Sequence, residues 1–199
     1  MAKFEVCCHK FADLSEYKYG VSILNDSKYG FATAGDVMRL SLLRSPKAPD
    51  DTADMGHHSI RWAIMPHQGE LGAETVRAAF SFNNPLKLVS ATKESCLNTF
   101  PIVLKGDDNL ILDTVKRGED DEDVTTDNLP KKVGRSVIVR VYDALGGRGR
   151  GTVETTWTIS KVFKTNLLED DGDEVLFKDG KFEVDLGTFQ VATYRLVLA

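Results

Sequence analysis

The feature that most limits what this chain can fold into is a succession of short segments with two-residue apolar period, each closed off by Gly, Pro, Asn or Asp. In Phe182-Glu183-Val184-Asp185-Leu186 and in Tyr194-Arg195-Leu196-Val197-Leu198 one face is apolar, as a half-buried antiparallel strand requires. Comparable segments, rich in β-branched or other apolar residues, run over Lys3 to Val6, Tyr19 to Leu24, Val37 to Leu43, Ser59 to Ile64, Leu86 to Ala91, Leu110 to Lys116, Ser136 to Tyr142, Gly151 to Val162 and Glu174 to Phe177. Helical spacing is confined to the Ala-rich Gly72 to Phe80, which reads as a short helix or a capping segment beside a sheet. These patterns predict an all-β protein built of antiparallel β-sandwich regions, with few or no helices.

Punctuation suggests two parts. Asn83-Asn84-Pro85 is a turn signal, and the character of the chain changes after Ala91, where Lys93-Glu94-Ser95 and Gly106-Asp107-Asp108-Asn109 bracket an apolar island. Residues 1–92 are expected to form part of one β-sandwich, 93–108 a connector and 109–199 a small terminal β-sandwich. Lys3-Phe4-Glu5-Val6 already alternates, so the chain is expected to begin inside structure with its first strands missing, as a cut-out or truncated gene product would. A length of 199 residues suits one sizeable core or two small ones.

A net charge of −5 and mixed charge distribution argue against a general nucleic-acid partner, which needs clustered cations. No segment approaches the ~20 apolar residues that span a bilayer, and MAKFEVCCHKFADL lacks the apolar run of a secretory signal. A cytoplasmic setting without a membrane partner is expected. Cys7, Cys8 and Cys96 are odd in number, and the adjacent pair would point to opposite faces of a strand, so reduced thiols in strands or core are expected rather than disulfides.

Metal or covalent chemistry finds little support in the spacing. His57 and His58 would face opposite sides of a strand, and no His-x-Asp, His-x-His or Cys-x-x-Cys pair assists them. His67, beside Pro66, reads as a surface turn residue, and Cys7 or Cys8 next to His9 is adjacency in sequence rather than a spatial pair. The glycines of Gly146 to Gly151 lead from one strand into another, which favours a β-hairpin turn over a phosphate-binding loop opening a helix. The charged run Lys116 to Asp123 reads as a solvated loop, and Glu169 to Glu174 as an acidic connector lacking the spacing of a calcium loop. The densest polar segment is Arg44 to His57, whose path Pro46 and Pro49 fix, and function is to be sought there.

The stretches HKFADLSEYKYGVSILNDSKYG, VMRLSLLRSPKAPDDTADMG, WAIMPH, GDDNLILDTVKRGEDDED, VYDALGGRGRG and KTNLLEDD, in that order across nearly the whole chain, resemble the C-terminal portion of glycoside hydrolase family 38 α-mannosidases. The resemblance is to the cytosolic and vacuolar branch. It implies a retaining exo-α-mannosidase whose nucleophile, acid/base carboxylate and zinc, or another divalent metal, lie in an N-terminal barrel, leaving no catalytic residue and no cofactor in this chain. Partners so implied are a mannose-containing oligosaccharide and the N-terminal barrel and helical domains; a homo-oligomer is a further expected partner, apart from the resemblance. Cytoplasm is the implied location, with the vacuole reached by a route independent of a signal. The resemblance also implies that a C-terminal loop lends an arginine to the sugar pocket: Arg44 matches best, with Asp50, Asp51 and Asp54 as companions. Where other branches have paired arginines, this chain has Arg44-Ser45. Trp62 and Trp157 are expected to pack rather than to stack on sugar. The competing reading is a stand-alone carbohydrate-binding or oligomer-assembly β-sandwich module.

Overall fold

Antiparallel strands carry the fold, with one short helix, among the described residues of this computed structural model, which are 4–90, 92, 100–125 and 131–199. The all-β expectation holds. The chain divides into two compact units, Met1–Val89 and Ser90–Ala199.

The first unit contains β1 (Val6–Cys7), β2 (Phe11–Glu16), β3 (Tyr19–Asn25), β4 (Gly30–Ala34), β5 (Val37–Leu40), β6 (Trp62–Gln68) and α1 (Ala73–Asn83). They form two three-stranded sheets, ordered β2-β3-β6 and β1-β4-β5. Alternation along β3 buries Gly20, Ser22 and Leu24 on one face, and α1 covers that face with Ala73, Thr75, Val76 and Ala79. The helix ends where Asn84 turns its backbone N–H and its side-chain amide back onto the Phe80 carbonyl, at 2.9 and 3.0 Å, while Asn83 ties it to the Asn25 carbonyl at 2.9 Å. It therefore runs three residues past the expected end at Phe80.

Three expectations for this unit are corrected. His67 is not in a surface turn: it lies within β6, 9% exposed, because β6 is an edge strand and its unpaired side tolerates Pro66. Cys7 and His9 do meet, with Sγ 3.4 Å from Nε2 at an exposed site, although Cys7 and Cys8 are free thiols as expected. Residues 86–90 form no strand, and Leu86 and Leu88 are fully exposed, since apolar composition makes a strand only when a ladder partner is present. Lys3 and Ala91 lie outside the described residues.

At the β3 register, Asp13, Ser22 and His67 form a buried polar cluster under α1. Asp13 Oδ2 accepts from the Ser22 hydroxyl at 2.5 Å and from His67 Nε2 at 2.7 Å, and Ser22 Oγ lies 3.3 Å from Thr75 Oγ1. Gly20 makes room for the imidazole: a Cβ there would stand 2.3 Å from His67 Cε1 and 2.6 Å from Nε2. Gly20→Ala is therefore expected to cost about 1–3 kcal/mol by overpacking. A urea titration of Gly20→Ala with and without His67→Ala checks this, the second substitution recovering part of the loss.

The second unit is a sandwich of β7 (Ile102–Gly106), β8 (Leu110–Arg117), β9 (Ser136–Asp143), β10 (Gly149–Thr155), β11 (Ile159–Thr165), β12 (Asp171–Val175), β13 (Lys181–Leu186) and β14 (Val191–Leu198). One sheet is ordered β13-β10-β7, the other β12-β11-β14-β9-β8. Their inner faces interdigitate: Val137, Val139 and Val141 of β9 and Leu196 of β14 meet Val153 of β10 and Phe182, Val184 and Leu186 of β13. The segment Gly151 to Val162 is thus two strands in opposite sheets, broken at Trp157, whose side chain packs on the core as expected. The glycines of 146–151 make no hairpin, because β9 and β10 belong to different sheets and the segment crosses between them. The span 93–108, expected as a connector, carries β7, paired with β10 from Gly106↔Gly151 to Ile102↔Thr155. Gly106 takes φ 135° and a Cβ there would lie 2.3 Å from the Arg150 carbonyl oxygen, a position only glycine fills without strain.

The outer face of the five-stranded sheet is covered as well, by the acidic run. Arg195, 1% exposed, donates from Nη1 to Ser136 Oγ at 2.8 Å and from Nη2 to the Glu169 carbonyl at 2.8 Å. Nη2 pairs with Asp120 at 2.8 Å and Nε approaches Asp171 at 2.9 Å. Asp121, 1% exposed, accepts from Ser136 N at 2.8 Å and Ser136 Oγ at 2.6 Å and pairs with Arg117 at 2.9 Å. The run Glu119 to Asp123 is therefore no simple solvated loop, and Glu169, 4% exposed, is a buried residue paired with Lys116. Cations at the start of the run, Lys116 and Arg117, and the distant Arg195 together draw these carboxylates in.

Candidate functional site

The link from β5 to β6, residues 41–61, is the longest irregular stretch between strands of the first unit and contains every residue singled out above for ligand contact. Its shape comes from short-range polar bonds. Asp50 Oδ1 accepts from the backbone N–H and hydroxyl of Thr52 at 2.9 and 2.8 Å, an Asx turn that also brings Ala53 N to the Asp50 carbonyl at 3.4 Å. Those two bonds hold the Asp50 carboxyl below the usual carboxylate range. Across the loop's neck, Ser45 N donates to Asp54 Oδ2 at 3.0 Å, and His58 Nε2 bonds the Asp54 carbonyl at 2.8 Å. Ser45 and Asp54 both take positive φ, 52° and 59°, at this neck, and the Ala48-Pro49 bond is cis.

The neck forms one wall of a cleft of about 480 Å³ lined by Arg44 and Asp54 together with Glu5, Lys28 and Ser41. Arg44 is exposed, and among the described residues its guanidinium has no hydrogen-bond or ion-pair partner. Lys28 is held there by the turn Asn25 to Gly30, where its N–H donates to Asn25 Oδ1 at 3.0 Å. Glu5 accepts from the Ser41 hydroxyl. Of the four expected residues the structure thus brings Arg44 and Asp54 to one cleft; Asp50 shapes the loop, and Asp51 is exposed outside the cleft lining.

Lys28 and Glu5 did not stand out in the sequence. Lys28 sits in a turn flagged only for its backbone, and Glu5 in a strand segment read only for its alternation. Their proximity to Arg44 arises from pairing of β1, β4 and β5, with Val6 opposite Phe31 and Phe31 opposite Leu40. The cleft alternates two cations with two carboxylates that already accept hydrogen bonds from the loop or from Ser41. Such a surface suits a neutral, hydroxyl-rich ligand, because a guanidinium fork and carboxylate oxygens each serve one partner of a hydroxyl's donor and acceptor pair. Among the described residues no three His, Cys, Asp or Glu side chains converge as metal ligands, and no helix is long and apolar enough to cross a membrane. Trp62 is 49% exposed on β6 rather than packed in a core.

Comparison with known proteins places this geometry in a family. Residues 1–52 match the profile of the glycosyl hydrolases family 38 C-terminal domain, and residues 109–194 that of the glycosyl hydrolases family 38 C-terminal beta sandwich domain. An α-mannosidase of Saccharomyces cerevisiae is 46% identical over 98% of this chain, which spans 19% of that relative. Alpha-mannosidase G of Dictyostelium discoideum is 37% identical over 98% of the chain and 18% of its own length. The crystal structure of an α-mannosidase from Enterococcus faecalis V583 shares the fold, with TM-score 0.70 and 16% identity over 98% of this chain and 21% of that one. The chain thus spans about a fifth of the length of the relatives it matches. With two profiles of one family matched in order and identity running from end to end, the chain belongs to glycoside hydrolase family 38, as part of its C-terminal region.

Proposed function

We propose that this chain serves as the non-catalytic C-terminal β-sandwich part of an α-mannosidase that releases terminal α-linked mannose from oligosaccharides in the cytoplasm. The observation that carries the reading is the 46% identity to the yeast α-mannosidase along 98% of the chain. In this reading the nucleophile, the acid/base carboxylate and the zinc belong to the barrel of the complete enzyme. Among the described residues no His, Cys, Asp or Glu cluster converges as metal ligands, and in this reading the part of this chain in the reaction is binding and orientation. Arg44, exposed and unpaired among the described residues, donates to sugar hydroxyls, while Asp54 fixes the neck that aims it. Asp50 and Asp51 are further ligand contacts in this proposal, with Asp50 acting chiefly through its turn.

The purified 199-residue chain is expected not to hydrolyse an aryl α-mannoside, with zinc or cobalt added or without. Robust turnover would overturn the proposal. When the chain replaces the aligned region of the yeast relative, Arg44→Ala is expected to lower kcat/KM about 10- to 100-fold, the worth of one or two charge-assisted hydrogen bonds. Arg44→Lys should recover only part of this, because an ammonium cannot reproduce the planar fork. Unchanged kcat/KM in Arg44→Ala would remove Arg44 from the pocket.

A further inference from the structure

The cleft beside the 41–61 link has two walls of separate origin, and each carries one cation and one carboxylate. The loop neck supplies Arg44 and Asp54. The sheet side supplies Lys28, from the turn between β3 and β4, and Glu5, from the segment leading into β1. Ladder bonds continued beyond the strands hold this second wall: Cys8 N donates to the Tyr29 carbonyl at 2.7 Å and Ser41 N to the Gly30 carbonyl at 2.8 Å. Gly30 makes room for the Glu5 carboxylate, since a Cβ there would meet both that group and the Ser41 side chain.

The turn that carries Lys28 is pinned from beneath. The Lys28 N–H donates at 3.0 Å to the side chain of Asn25, which is 1% exposed. Asn25 is itself anchored twice, its N–H donating to the Lys10 carbonyl at 2.9 Å and its carbonyl accepting from Asn83 Nδ2 of α1 at 2.9 Å. Yet the half-buried ammonium that this scaffold positions has, among the described residues, no hydrogen-bond or ion-pair partner. A compact, strongly hydrated charge gains nothing from standing in a cleft unless a ligand supplies an acceptor. Acceptors and donors are paired on both walls: Glu5 is bonded to Ser41 through Oε1 and Asp54 to Ser45 N through Oδ2, so among the described residues Glu5 Oε2 and Asp54 Oδ1 remain open to a ligand. With two charges of each sign the cleft is close to neutral, which disfavours an anion, whereas a donor beside an acceptor suits a hydroxyl.

We infer that the cleft holds two adjoining sugars of an α-linked mannose oligosaccharide, Arg44 and Asp54 contacting one and Lys28 with Glu5 the other. Lys28 thereby sets a preference for oligosaccharides over simple mannosides. This deepens the function proposed above and rests on it. Size agrees, since about 480 Å³ lies in the range of pockets that enclose drug-sized ligands and exceeds what one sugar ring fills. The two donor–acceptor pairs stand on different elements, so each can serve its own ring.

Turnover by the chimera carrying this chain in place of the aligned region of the yeast relative tests it on two substrates, α-linked mannobiose and an aryl α-mannoside. Lys28→Met is expected to lower the ratio of kcat/KM on mannobiose to kcat/KM on the aryl mannoside about tenfold, the worth of one charge-assisted hydrogen bond. Glu5→Gln should move the ratio in the same direction, Lys28→Arg should keep most of it, and Arg44→Ala should reduce both rates. A merely structural role for Lys28 would depress both substrates alike, so an unchanged ratio overturns the inference. A second measurement needs no turnover: mannobiose titrated into the 199-residue chain should shift the side-chain NMR resonances of Lys28 and Glu5 as well as those of Arg44. Shifts at Arg44 alone, no shifts at all, or tighter binding of inorganic phosphate at the two cations overturn it. Shifts at Lys28 and Glu5 together with a chimera that hydrolyses neither substrate would leave the two-sugar cleft standing and count against the mannosidase reading.

Discussion

Replacing Arg195 with methionine is expected to destabilise the second unit by about 3–5 kcal/mol, the usual cost of removing one partner from a buried ionic cluster. For a domain of this size each kcal/mol moves the midpoint by about 4–8 °C, so the thermal transition should fall by more than about 12 °C. The guanidinium is 1% exposed and stands between Asp120, Asp171 and the Glu169 carbonyl, with Asp121 reached through Ser136. Methionine fills much of the volume, and the loss therefore reports the carboxylates left facing one another without their shared cation. Lys132 is the control. It pairs with Asp120 at 3.3 Å and Asp171 at 2.8 Å but is 37% exposed, so Lys132→Met should cost no more than about 1 kcal/mol. Equal losses from the two substitutions would show that burial does not set the value of this cluster.

The same cluster sets an acid limit. Burial pushes the Asp120 carboxyl up, but the guanidinium of Arg195 and the ammonium of Lys132 outweigh it and hold the group below the usual carboxylate range. Lys116 does the same for Glu119, and Arg117 for Asp123. A carboxyl depressed in the native state contributes stability that is present above its unfolded value of about 3.9 and is lost as pH falls through the lower native one. Stability of the second unit should accordingly decline below about pH 4, and Arg195→Met should flatten that decline.

Arg195 shows where sequence reading stops. The alternation of Tyr194-Arg195-Leu196 correctly turns Arg195 away from the sandwich core, yet two-residue period says nothing about whether a loop then covers that outer face. Five acidic residues in a row read as solvent-facing because like charges repel; the burial of Asp121 and the partial burial of Asp120 are decided by Arg117, Ser136, Lys132 and Arg195, which only the folded sheet brings together. β2, β4 and β7 were illegible for a related reason. β2 is polar, β4 is Gly- and Ala-rich, and β7 is a short apolar island beside a turn signal; the ladder partners β3, β5 and β10 make them strands. Leu86 and Leu88 are the converse, apolar residues without a ladder. At the candidate site, the prolines and aspartates of 44–57 marked the loop, since they act on their own backbone neighbours. Lys28 and Glu5 could not be assigned to the cleft, because only strand pairing delivers them there.

In the first unit, Asp13→Ala is expected to cost about 3 kcal/mol, the largest effect of any single change there. One oxygen, Asp13 Oδ2, accepts from both Ser22 at 2.5 Å and His67 at 2.7 Å, and the Asp13 and His67 side chains are 7% and 3% exposed. Without the carboxylate, Ser22 can rotate toward Thr75, 3.3 Å away, but His67 has no second recourse, since its Nδ1 is buried without a partner. Asp13→Asn preserves volume and one acceptor oxygen, so it should retain about half of the lost stability. The two variants separate hydrogen bonding from charge through their acid limbs. Burial raises the Asp13 carboxyl, yet the bonds from Ser22 and His67 outweigh it and leave the group depressed, so the wild-type unit loses this contribution as pH falls below about 3.9. Neither variant has that limb to lose. Urea midpoints measured at pH 7 and pH 3.5 should converge for wild type and Asp13→Asn, and a gap that stays constant with pH would mean that the carboxylate's charge contributes nothing to holding β2, β3 and β6 beneath α1.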